Sequence, residues 1–126
     1  MRRCLLLLFV LACVAPASAQ QFSSGLALKT TIINIAAATT TTVVAGVAGQ
    51  KISVYGMELF CNGANNITIL DSTPTTLVPI QAFVASQGSM RDLRFWPWFT
   101  TASGTGFQIT TSKTAQCSGN VYYTQG

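Results

Sequence analysis

The chain has 126 residues, seven lysines and arginines against three acidic residues, and no histidine at all. That length suits one domain behind any targeting segment. The scattered positive balance is no electrostatic footprint for nucleic acid, and without imidazole both histidine-dependent catalysis and most zinc shells are excluded.

The first residues read as a leader. Arg2 and Arg3 form a positive start, residues 5–14 an apolar run, and Ala17-Ser18-Ala19 a small-residue cleavage site before Gln20. The run is too short to anchor the chain across a bilayer. An alternative cut before Cys13, at Val10-Leu11-Ala12-Cys13, loosely resembles a lipoprotein box; cleavage between Ala19 and Gln20 fits the whole apolar run better. Export to an extracellular, cell-surface or virion location follows from either cut. Without the leader, Lys29, Lys51, Arg91, Arg94 and Lys113 face Glu58, Asp71 and Asp92, a net charge of about +2.

Residues 20–30 are expected to form an N-terminal arm, and residues 31–126 the folded domain. Residues 30–35 and 40–47 are rich in threonine and β-branched side chains, which suit a half-buried pleated surface. Ala36-Ala37-Ala38 between them is too short to nucleate a helix. A turn through Gly46 and Gly49 leads into residues 50–61, the longest run with strand character. There Ile52 and Val54 alternate with Ser53 and Tyr55, and Met57, Leu59 and Cys61 with Glu58 and Phe60. The phase slips by one at Gly56, which is how a β-bulge reads in sequence. Asn62-Gly63 is a hairpin signal, since both positions of a tight turn want positive φ. Residues 66–70 would then be the returning strand.

Pro79 interrupts residues 76–84 and places them at a sheet edge. Residues 86–89 read as loop, 90–99 as an aromatic-rich segment, 102–106 as a turn. Residues 107–111 and 120–125 are the final strands, joined by a polar turn through Lys113 and Gly119. Seven to eight short strands with Gly, Pro and Asn turns predict an all-β, antiparallel sandwich of jelly-roll type.

Cys61 and Cys117 are the cysteines left after cleavage at Ala19. In an exported chain two cysteines usually pair, and two thiols without histidine cannot complete a metal shell, although free thiols or a metal remain the competing reading. No cofactor motif is legible. Glu58 sits at an outward strand position, and Asp71 and Asp92 lie beside turns, where aspartate bonds local backbone. An enzyme is therefore not expected. Trp96-Pro97-Trp98-Phe99 is the loudest local feature. Its rings either cap the core or, with Arg91 and Arg94 beside them, form an interface patch. Asn66-Ile67-Thr68 matches a glycosylation sequon that is common by chance. Tyr122 and Tyr123 should divide between the two faces of the last strand.

Three stretches carry a resemblance: Val47-Ala48-Gly49-Gln50-Lys51-Ile52-Ser53-Val54, Trp98-Phe99-Thr100-Thr101-Ala102, and Gly119-Asn120-Val121-Tyr122-Tyr123-Thr124-Gln125. Together they resemble small β-sandwich proteins encoded by phages and prophages, of capsid-decorating or tail-associated kind. The resemblance covers most of the mature chain and implies an oligomeric structural role, with copies of itself or a capsid, tail or cell-surface component as partner. A virion protein assembled in the cytoplasm needs no leader, so the leader points to an exported variant or a host surface protein. Three functions compete. The first is a self-assembling structural module using sheet faces, arm and aromatic patch. The second is a filament subunit lending an arm with Leu26, Leu28 and Ile32 on one side. The third is a carbohydrate-binding module built on Trp96, Trp98 and Phe99.

Overall fold

The computed structural model describes residue 25 and residues 27–126. The expected leader with Ala19, Gln20 and Cys13, and Leu26 of the expected arm, lie outside the described residues. Nine strands follow one another: β1 (Lys29–Ile35), β2 (Thr40–Val44), β3 (Ile52–Cys61), β4 (Asn65–Asp71), β5 (Thr76–Phe83), β6 (Gln87–Arg91), β7 (Phe99–Thr100), β8 (Phe107–Thr111) and β9 (Cys117–Gln125). Eight of them have five residues or more, and β7 is a two-residue addition. No helix occurs among the described residues.

One sheet runs β1-β9-β3-β6, with β7 sharing the β6 side of β3; the other runs β2-β8-β4-β5. All pairings are antiparallel. The pairs β1–β9, β2–β8, β3–β6 and β4–β5 nest inside one another. The chain is thus one long hairpin turning between β4 and β5, rolled so that successive pairs fall in alternate sheets. That is jelly-roll topology. Alternate residues from the two inner faces meet as the core: Ile33, Val54, Leu59 and Val121 from one sheet, Ile67, Val78, Phe107 and Ile109 from the other.

Strand β3 is central to its sheet and bonded on both sides. Val54 lies opposite Tyr123 but Gly56 opposite Tyr122, so Tyr55 is an extra residue. The bulge is where the phase slip at Gly56 places it, and it lets both Val54 and Met57 face inward. Tyr122 and Tyr123 divide between faces as expected, Tyr123 in the core and Tyr122 half-buried. Pro79 sits on the edge strand β5, within a second bulge.

Asn62 and Gly63 do not form the expected hairpin. β3 and β4 belong to opposite sheets, and neither Asn62 nor Gly63 has a positive φ. Both sides of β3 are already taken by β9 and by β6 with β7, and the Asn62 N–H donates to the Gln116 carbonyl at 3.0 Å. The chain therefore crosses to the other sheet instead of folding back. Residues 87–89, expected as loop, begin strand β6, because β3 offers a free row of backbone groups whatever the side chains. Ser86, at φ 58°, makes the turn before it. β9 also starts earlier than its apolar alternation suggests. Gly119 lies between Ile33 and Leu59, and a Cβ there would collide with the Glu58 carbonyl. What reads as a turn glycine is a point of close strand approach.

Cys61 and Cys117 face each other in the β3–β9 register and are joined by a disulfide, with 4.1 Å between Cα atoms and a sequence separation of 56. Three buried polar side chains hold the loops. Asn65 Oδ1 accepts from the Ser112 and Lys113 N–H groups, both at 3.0 Å, while its Nδ2 donates to the Lys113 carbonyl at 3.1 Å. Thr111 Oγ1 donates to the Ala37 carbonyl at 2.6 Å. Asp71 Oδ1 accepts from Thr73 Oγ1 at 2.7 Å and from the N–H groups of Thr73 and Thr75, both at 3.0 Å. Burial alone would raise the Asp71 carboxyl, but the Thr73 hydroxyl and the N–H groups of Thr75, Thr73 and Ala102 outweigh it and hold the group below its usual range.

Two stability outcomes follow. Replacing both cysteines by alanine should cost about 3 kcal/mol, read as a lower urea midpoint, because the unfolded chain regains a long loop's entropy. The Asp71 contribution is present above the carboxyl's unfolded pKa and disappears as pH falls through the lower folded value. Asp71→Asn should therefore lower stability by about 1–3 kcal/mol at neutral pH and flatten the acid limb of a midpoint-against-pH series.

Candidate aromatic binding site

Residues 92–98 cross from β6 to β7 and are fastened to the bulge. The Arg94 N–H donates to the Tyr55 carbonyl at 3.1 Å, and the Trp98 N–H to the Val54 carbonyl at 2.7 Å. The extra residue that breaks the ladder thus supplies backbone acceptors for a loop. Pro97 adds a fixed φ between the two tryptophans. Under this loop lies a cavity of about 330 Å³ lined by Tyr55, Asp92, Arg94, Phe95, Trp96, Pro97 and Trp98.

Tyr55 is 1 % exposed yet stands outside the main apolar cluster; it is the buried wall of this cavity. The two tryptophans have separate jobs. Trp98 is half-buried and packs on the core rim, edge-on to Phe99 with centroids 5.1 Å apart, and Phe99 in turn meets the fully buried Phe107 at 5.5 Å. Trp96 is 68 % exposed and makes an edge-on pair with Phe95 at 5.5 Å, itself largely in solvent. Core-capping thus holds for Trp98 and Phe99, while Trp96 is exposed. Asp92 and Arg94 are exposed beside them. The Arg91 side chain lies outside the described atoms, and only its place on β6 opposite Met57 is assigned.

The remaining expected contacts are elsewhere. β1 pairs with its own β9 over seven residues, so residues 29–35 complete their own sheet. Leu28 is half-buried, and Ile32 stands outward at 75 % exposure while Ile33 and Ile35 enter the core. Phe60, 48 % exposed, stands on the same outer sheet face two strands away. Tyr55, Asp92 and Phe95 are the site residues that sequence reasoning missed. The phase slip at Gly56 carried the signal for Tyr55, because a bulge re-aims the side chain at its extra residue.

Among the described residues no group of three His, Cys, Asp or Glu side chains is placed to hold a metal. The chain matches no protein-family profile, no curated protein and no solved structure.

The division between the tryptophans has a measurable consequence. Trp98→Ala should destabilise the fold by about 2 kcal/mol through lost rim packing. Trp96→Ala should stay within about 0.5 kcal/mol of the parent in the same urea titration.

Proposed function

We propose that the chain is a non-enzymatic structural module of a virion or cell surface, and that it works by contact with copies of itself. The observation that carries this reading is the outer face of the β1-β9-β3-β6 sheet. Ile32 and Phe60 project there among Thr30, Asn34, Ser118, Asn120 and Tyr122, with Glu58 as the one charged neighbour in these rows. The two apolar residues lie two strands apart and two residues out of row, about 12 Å from strand spacing and rise together. A sheet face so poor in charge presents little repulsion to an identical face, and a two-fold contact repeats each favourable pair twice. Such a face supports association between copies better than attraction to a strongly charged partner.

The resemblance to phage-encoded sandwich proteins supports the same reading, and jelly rolls recur as capsid building units. The leader would place the module outside the cytoplasm, and the Cys61–Cys117 disulfide suits an oxidising compartment. Lending β1 to a neighbouring copy, as a donor-strand filament requires, would first strip it from its seven pairs with β9. Contact between completed sandwiches avoids that cost.

Light scattering of the purified mature chain over a dilution series should give a mass above that of one chain, falling on dilution. Phe60→Arg should shift the series toward monomer by tenfold or more in concentration while leaving the circular dichroism of a β protein unchanged. A parent chain that is monomeric at every concentration would sink the proposal.

A further inference from the structure

The cavity under residues 92–98 is separate from the sheet face that carries Ile32 and Phe60, and its lining has a chemistry of its own. We infer that it is a binding site for one ring of a neutral carbohydrate.

Size limits the candidates first. A cavity of about 330 Å³ is at the small end of ligand pockets and suits a single pyranose better than a nucleotide or a stretch of peptide. The walls narrow the choice further. Trp96 and Phe95 are exposed and Trp98 is half-buried, while the buried Tyr55 closes the wall behind them; aromatic surface of this kind suits the flat, C–H-covered face of a sugar ring. The polar groups decide the charge. Asp92 accepts hydrogen bonds and Arg94 donates them, and both line the same cavity. An anion would meet the Asp92 carboxylate and a cation the Arg94 guanidinium, whereas neighbouring hydroxyls of a neutral sugar can donate to one and accept from the other.

The site is also built in advance. Pro97 restricts the loop, two backbone hydrogen bonds fasten it to the bulge, and the edge-on Phe95–Trp96 pair, with ring planes at 87°, holds the outer wall. Ordering that precedes binding need not be spent when a ligand arrives. Asp92 is the one carboxylate in the lining, and glycoside hydrolysis ordinarily takes two flanking the bond. The site therefore binds and releases a sugar without cleaving it.

The test is a titration of the full mature chain with glucose, galactose, mannose and N-acetylglucosamine, followed by tryptophan fluorescence and by amide shifts in NMR. At least one sugar should give a saturable response in the millimolar range. Trp96→Ala and Asp92→Ala should each weaken it tenfold or more with an unchanged urea midpoint, and Trp96→Phe, which keeps an aromatic face, should retain part of it. Absence of saturation with all four sugars would overturn the inference, as would Trp96→Ala binding as tightly as the parent. A fall in oligomer mass on Trp96→Ala without any sugar response would assign the loop to a chain contact and overturn it equally. Phe60→Arg should leave sugar binding intact, so the carbohydrate site and the self-association proposal stand or fall separately.

Discussion

The pairing of β3 with β9 is the constraint on which the other features depend. It runs the length of both strands, is sealed at one end by the Cys61–Cys117 disulfide, and brings the backbones so close at Gly119 that no side chain fits there. β9 then carries β1 on its far side, and β3 carries β6 and β7 on its own. Four of the five strands in this sheet are therefore held directly to β3 or through one intermediary. The opposite sheet depends on it as well, because inward residues such as Val54 and Leu59 provide part of the surface on which Ile69 and Ile109 pack.

The bulge at Tyr55 is what turns this frame into a surface with a cavity. An unbroken ladder would have paired the whole of β3 with its neighbours. With one extra residue, β6 pairs with residues 57–61 and β7 with residues 53–54, and the connection between them rises over the gap. Carbonyls of Val54 and Tyr55 hold that connection by its Trp98 and Arg94 N–H groups. Core packing and surface chemistry are thereby coupled through one loop, with Trp98 and Phe99 turned toward the core and Phe95 and Trp96 toward solvent.

Buried polar groups perform the work that turn sequences alone do not. Asn65 and Thr111 collect backbone partners from segments distant in sequence, and Asp71 collects those of its own turn. Asn65 ties the connection between β8 and β9 to β4, and Thr111 ties the connection between β1 and β2 to β8. Asp71 holds the turn after β4 through Thr73 and Thr75. A charged group in this position is stable because several N–H donors replace the water it gives up.

By itself the sequence determined the all-β class, the bulge at Gly56, the edge position of Pro79 and the disulfide partners. Each of these is a local matter: strand periodicity, a skipped phase, a missing N–H, or the two cysteines left beyond the expected leader. It also singled out the Trp96–Phe99 segment, but not how its rings divide. Only the tertiary structure decided that Asn62 and Gly63 cross between sheets, that residues 87–89 become strand, and that Gly119 marks a close approach. It likewise brought Tyr55 beneath a loop almost forty residues further along the chain. These outcomes depend on which backbone edges are already occupied and on what lies across a sheet, and a one-dimensional pattern of side chains carries neither.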